Sequence, residues 1–290
     1  MDAPDAQDRP FDRALRRVRR DRALHGWTDH AFLQDHMAAE LRERLGVVQR
    51  DFSRALILGY AGDALPRALH AMNIDTVTAD AGFALARAAG GVQCDEDRLP
   101  FADASFDLVI AAGTLDTVND LPGALTLIRR SLRPDGLFLG AFIGSGSLPA
   151  LRRAMLQADL TGGAAAPRIH PQIDLRSAGD LLGRAGFALQ VADGERLDVR
   201  YSDLSRLIAD LRGSANGSLL HGPPLSRFAV AAAHAAFEAE QRDGKTRETF
   251  EIVYLTGWAP SPDQPKPAAR GSGTTSLAQA LKPRDSGAAS

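Results

Sequence analysis

Apolar and polar positions along this 290-residue chain change period several times, and each change marks an element. Phe32–Val48 places Phe32, Met37, Leu41 and Leu45 near one face and predicts a helix. Ala55–Leu58 is a short unbroken apolar run, a first strand. Gly59 and Gly62 then make a tight turn into a helix over Ala64–Met72, with Pro66 tolerated in its first turn. Strand Asp75–Ala79, helix Phe83–Ala89 and a short strand within Gly91–Cys94 follow. Ser105–Ala112 (SFDLVIAA) has the continuous apolar character of a strand buried on both faces. Helix Leu121–Leu132 closes on the turn Arg133–Gly136, and Leu137–Ile143 is a fifth strand. This strict alternation predicts an α/β fold, doubly wound around a mostly parallel sheet.

The second half breaks the alternation. Helices are expected over Ser147–Gln157, Ser177–Ala185, Leu204–Leu211 and Arg227–Gln241, with strands at Gly186–Val191 and Thr249–Trp258. The two late strands would form an antiparallel edge, and the helices between them a cap. The expected organisation is an N-terminal helical lead over residues 1–50 and an α/β domain over 51–258, with a helical insertion at about 200–245. A Pro-, Gly- and Ser-rich tail over 259–290 is expected to be disordered.

A net charge of -2 supplies no drive towards nucleic acid or anionic membrane. No apolar run has the length of a membrane span, so no integral membrane segment is expected and a cytoplasmic location is. The single cysteine, Cys94, excludes a disulfide framework, and no His/Cys/Asp spacing supports a metal site. Near the start, Arg13, Arg16, Arg17, Arg19, Arg20 and Arg22 interleave with acids such as Asp8, Asp12 and Asp21. Targeting segments are poor in acids, so this reads as a solvated arginine-rich helix. A narrower reading has its basic face dock an acidic partner.

Strand, glycine turn and helix are how such folds begin a nucleotide or cofactor pocket. Asp80 lies roughly 20 residues after Gly59 at the end of the second strand, where an acid accepts hydrogen bonds from a ribose diol; the alternative is a helix cap. Asp63 sits near the start of the first helix and would repel a pyrophosphate there. That disfavours a nicotinamide dinucleotide and favours a ligand with adenosine and a cationic centre, S-adenosylmethionine. Asp116 reads equally as a base or a turn cap. His170, beside Pro171, could sit over the pocket mouth but reads rather as solvent-exposed or a turn partner, and Tyr254 reads as packing.

Asp95–Val109 (DEDRLPFADASFDLV), followed by VNDLPGAL and LIRRSLRPDGLFLGAF, resembles the class I S-adenosylmethionine-dependent methyltransferases. The resemblance implies that Asp95 and Glu96 lie beside the adenine, in a cofactor set with Gly59, Gly62 and Asp80. FDRAL at Phe11–Leu15, TVNDLPGAL at Thr117–Leu125, LLGRAGF at Leu181–Phe187, EIVYLTGW and the tail segment ARGSGTTSL resemble a narrower group. These are the methyltransferase-like assembly factors of respiratory complex I, near the biotin-pathway malonyl carrier-protein methyltransferases. That group is associated with hydroxylating an arginine of a complex I subunit, which would make such a subunit the partner.

The chain departs from the family pattern at the loop. Ile57 stands where relatives carry an acid, Ala61 and Asp63 where they carry glycines, and Asp116–Thr117 where close relatives have a His-Trp pair. Two readings follow. One is a methyltransferase acting on an unidentified acceptor, with arginine hydroxylation as its variant; methyl transfer needs positioning more than acid–base groups. The other is a non-catalytic assembly or binding protein with a degenerate cofactor site. No catalytic residue is assigned from sequence.

Overall fold

The structure is a computed structural model and describes residues 9–60, 62–162 and 165–264. Ala61 and residues 265–290, where most of the expected disordered tail falls, lie outside the described residues. Met1–Pro260 forms one compact unit and Ser261–Ser290 a second. Of the latter, Ser261–Gln264 is a turn closed by the Gln264 amide on the Ser261 carbonyl, 3.3 Å.

A seven-stranded sheet of order β3-β2-β1-β4-β5-β7-β6 organises the chain. Parallel pairs join β1 (Arg54–Leu58), β2 (Asp75–Asp80), β3 (Val92–Gln93), β4 (Phe106–Ala112) and β5 (Leu132–Ile143). β7 (Thr246–Trp258) runs antiparallel between β5 and β6 (Ala188–Tyr201). The expected doubly wound, mostly parallel sheet with an antiparallel edge is therefore present.

Both faces are covered, because successive β4 side chains point to opposite sides. Leu108 and Ile110 join Met37 and Leu41 of α3 (Phe32–Gly46). Val109 and Phe138 join Leu125 and Ile128 of α6 (Leu121–Ser131) and Leu182 of α8 (Leu175–Arg184). The helices α4 (Ala64–Ala71) and α5 (Phe83–Ala88) complete the βαβ crossovers.

α7 (Pro149–Gly162), α9 (Leu204–Gly213) and α10 (Arg227–Glu238) build the cap. Glu248 of β7 ties it to the sheet by accepting hydrogen bonds from the Ala150 and Leu151 amides, 3.1 and 2.8 Å. These are amides of the first turn of α7 that no intrahelical carbonyl can satisfy.

Three elements differ from expectation. β5 begins at Leu132, because the Arg133–Gly136 turn is held inside the strand as a bulge, with Asp135 at φ 63°. β6 continues to Tyr201 rather than stopping at Val191. The largest difference is α1 (Arg13–Ala23), started by Asp12, whose carboxylate accepts from the Leu15 amide at 2.9 Å. It is not a solvated basic helix: Arg16 and Arg20 are 3% and 4% exposed.

Candidate functional site

The carboxyl ends of β1, β2 and β4 form the crevice in which open α/β sheets place their ligands. Gly59 leaves β1 at φ 73° and donates its amide to the Ala79 carbonyl, 2.9 Å. A Cβ on it would lie 2.4 Å from the Cβ of Thr114, so only glycine lets the two backbones approach. Asp80 ends β2, and Asp95 and Glu96 follow β3. All three acids are buried, 6%, 5% and 2% exposed.

Buried carboxylates need partners, and α1 supplies them. Arg13, Arg16, Arg17 and Arg20 recur at the three- and four-residue spacing that lines one helix face. Arg16 forms a fork with Glu96, Nη1 to Oε2 at 2.9 Å and Nη2 to Oε1 at 2.6 Å, while its Nε donates to Thr117 Oγ1 at 3.0 Å. Arg20 donates Nε to Asp80 Oδ1 at 3.1 Å, pairs through Nη2 with Oδ2, and also donates Nη2 to the Gly59 carbonyl at 2.6 Å. Arg17 pairs with Asp95, and Arg13 approaches Asp95 at 2.9 Å. Thr114 adds its hydroxyl to Glu96. At the start of the helix, Asn119 clamps Phe11 by its backbone, accepting from the amide and donating to the carbonyl, both at 3.0 Å.

The expected set is thus only partly assembled. Gly59, Asp80, Asp95 and Glu96 converge under α1. Gly62 does not join them: it packs on Tyr60, whose hydroxyl would lie 2.5 Å from a Cβ there. Tyr60 itself donates to Asp35 at 2.7 Å. Asp63 is also removed from the crevice, on the surface and paired with Arg67 at 2.7 Å. Its charge therefore does not bear on what the crevice admits, and it does not exclude a dinucleotide. Ile57 is fully buried among the core residues.

Sequence reasoning named the four arginines and Thr117 without placing them in the crevice, and it missed Thr114. The stripe 13, 16, 17, 20 was a legible signal, since polar residues confined to one helix face announce a partner as apolar ones do. The acidic partner expected on the narrower reading is the chain's own crevice.

Burial opposes ionisation of both Arg16 and Glu96, but their mutual attraction and hydrogen bonds outweigh it, holding Arg16 above and Glu96 below their usual values. A depressed carboxyl contributes stability above its unfolded pKa, about 4.3 for glutamate, and loses it as pH falls through the lower folded value. Between about pH 6 and pH 3 the urea midpoint of the protein should fall more steeply than that of Glu96→Gln; parallel curves would contradict this. Burial, then the nearby acids Glu96 and Asp95, push the Cys94 thiol up to about 12, leaving it protonated and a poor nucleophile at neutral pH.

On the far side of Thr117, Asp116 follows β4 on a single tight turn and faces a small space of about 60 Å³, shared with Leu148, Leu151 and His170. Burial raises its pKa to about 6, only partly offset by its own backbone amide and Arg16. As a raised acid it runs opposite to Glu96: its contribution to stability declines as pH rises from about 4 to about 6. His170 is half-buried rather than solvent-exposed, and it serves as a backbone partner at the border of this space. Its Nε2 accepts from the Leu219 amide at 2.7 Å and its ring meets Phe11 edge-on, while burial and Arg19 lower its pKa to about 4. It is neutral at pH 7, with the proton on Nδ1. Beyond it opens a cavity of about 920 Å³ bordered by Arg9, Arg152 and His221. Tyr254 packs as expected, donating to Glu195 at 2.9 Å under the Arg44 guanidinium.

Residues 56–140, the stretch from β1 to β5 that carries this crevice, match the methyltransferase domain family. The chain is 32% identical to the mitochondrial arginine-hydroxylase NDUFAF5 of Danio rerio, across 94% of this chain and 89% of that protein. The chain belongs to the NDUFAF5 group of the class I methyltransferase family. The malonyl-[acyl-carrier protein] O-methyltransferase of a Methylovorus strain is 32% identical over 84% of this chain and 88% of its own length. Among solved structures, the YcgJ protein of Bacillus subtilis shares the fold at a TM-score of 0.53 and 15% identity, covering 78% of this chain and 99% of its own. Membership of this family sharpens the finding at α1. The side chains on the carboxyl edge of the methyltransferase fold are here bonded to arginines of the same chain.

Proposed function

We propose that this chain is an S-adenosylmethionine-dependent methyltransferase-like protein of respiratory complex I assembly, whose cofactor crevice is shut by its own first helix. The observation that supports this reading is the Arg20–Asp80 contact. As folded, the crevice does not fit a ribose diol: Asp80 Oδ1 already accepts from Arg20 and from the Gly82 amide, 2.7 Å, and Oδ2 is held by Arg20. Entry of the cofactor requires α1 to release these acids. In the open form Asp80 would take the ribose, Asp95 and Glu96 the adenine, with Gly59 on the loop beneath. The acceptor is a protein of complex I, modified by methylation or, following the name of the NDUFAF5 relatives, by arginine hydroxylation. We place the chain in the cytoplasm, beside the membrane complex; among the described residues no helix is long and apolar enough to cross a membrane.

A second reading has one specific observation in its favour. Thr117, one of the two residues standing in place of the relatives' His-Trp pair, is the acceptor for Arg16 Nε. A departure in the site thus serves its closure, as in a non-catalytic protein that keeps α1 docked.

Calorimetry with S-adenosylmethionine separates the two. If α1 competes with the cofactor, Arg20→Ala binds about tenfold tighter than the unaltered protein. An absence of heat at millimolar ligand in both would remove the cofactor reading and leave the scaffold. For the hydroxylase variant, the complex I subunit from a deletion strain should lose the mass of one oxygen; an unchanged mass removes it.

A further inference from the structure

The cap holds a second cavity of about 850 Å³ between α1, α7, α9 and α10, within the usual range for small-molecule pockets. Its walls are apolar: Leu151 and Met155 from α7, Leu204 and Ile208 from α9, Val230 and Ala233 from α10. At one end stand Arg19 and Arg22 of α1 and Arg212 of α9. Gly217 brings two of them together, because a Cβ there would lie 3.1 Å from Arg19 Nη1 and 4.0 Å from Arg212 Cγ.

Among the described residues no ion pair neutralises this cluster, and the one acid that raises the pKa of Arg19, Asp12, is outweighed by Arg212 and Arg22. Asp12 and Asp21 accept from the Leu15 and Ala84 amides, and Asp210 pairs with His30. Among the described residues no carboxylate forms an ion pair with Arg19, Arg22 or Arg212, whereas Arg168 on the cavity wall has Asp159 at 3.0 Å. Burial, then the charges of Arg212 and Arg22, lower the pKa of Arg19. Like charges left in excess beside a low-dielectric cavity are unfavourable until an anion arrives.

We propose that the cap cavity binds a single-chain amphiphile, its alkyl or acyl chain lying between α7, α9 and α10 and its anionic head group held by Arg19, Arg22 and Arg212. The cavity shares Leu151 and Leu211 with the small space in front of Asp116, so the chain lies against the acceptor side of the crevice. This inference goes beyond the function proposed above and does not depend on cofactor binding.

The test is calorimetry on the full chain with dodecanoate below its micellar concentration. One saturable site is expected, with dodecanol, which lacks the charge, and butyrate, which lacks the chain, each about tenfold weaker or more. Reversing two exposed charges in the double variant Arg22→Glu/Arg212→Glu should weaken dodecanoate about tenfold and leave dodecanol unchanged. Val230→Trp, which fills the cavity from its open side, should weaken both. No saturable heat, equal affinity for dodecanoate and dodecanol, or indifference to the charge reversal would overturn the assignment. A protein that binds dodecanoate but not S-adenosylmethionine retains this site and loses only the cofactor reading.

Discussion

Arg16→Met should destabilise the protein by about 3–5 kcal/mol, the usual result of removing one partner from a buried ion pair. Methionine preserves much of the aliphatic stem, so lost packing is a minor part of the effect. The major part is Glu96, whose side chain is 3% exposed and which then keeps only Thr114 and a more distant Arg13, 3.6 Å away. Urea denaturation at neutral pH measures the change. Arg16→Met combined with Glu96→Leu should recover most of the loss, since replacing both ions by apolar groups is often close to neutral. A double variant as unstable as the single would place the cost elsewhere, and an unchanged midpoint in the single variant would mean that α1 is not docked in solution.

Gly59→Ala should cost about 2–5 kcal/mol through two separable effects. An alanine held at φ 73° is in the left-handed region, a penalty of about 1–2 kcal/mol. Its Cβ would also meet Thr114 at 2.4 Å. Thr114 cannot swing away freely, because its hydroxyl is bonded to Arg16, 2.5 Å, and to Glu96; overpacking of this kind adds about 1–3 kcal/mol. Gly90 supplies the control, with φ 62° and open space within 4 Å of where a Cβ would lie. Gly90→Ala should show the backbone penalty alone. Equal losses at the two positions in thermal denaturation would refute the close approach of the β1 and β4 edges.

Most of the fold was legible because its signals are local. The apolar run at 105–112 and the glycine turn at Gly59 each state their structure within a few residues. β6 was less legible. Beyond Val191 the half-buried acids Asp193 and Glu195 flank an exposed Gly194, and the exposed charges Arg196, Asp198 and Arg200 then alternate with half-buried positions. This is the composition of an edge strand guarded against unwanted pairing, and it reads as loop until its neighbour β7 is known. The crevice was legible as a set of acids and illegible as a state. Nothing near Asp80 announces that an arginine 60 positions away will occupy it, since the partner lies on another element and pairing across such a distance leaves no local pattern. Asp63 shows the converse error: its position in the chain suggested a role at the ligand, whereas its neighbour Arg67 draws it to the surface.

The position of β7 has a consequence for how the chain comes off the ribosome. The last strand of the sheet to be synthesised is the one inserted between β5 and β6. Until Thr246–Trp258 has emerged, β5 presents a bare edge, β6 has no partner, and α7 lacks the Glu248 carboxylate that closes its first turn. A nascent chain is therefore left with an open sheet edge from the synthesis of Ile143 until that of β7, the condition in which unpaired strands aggregate or recruit holding chaperones. A ribosome stalled before β7 would display the parallel sheet without its edge or its anchored cap, and a premature stop there removes more of the molecule's order than the 13 residues of the strand itself.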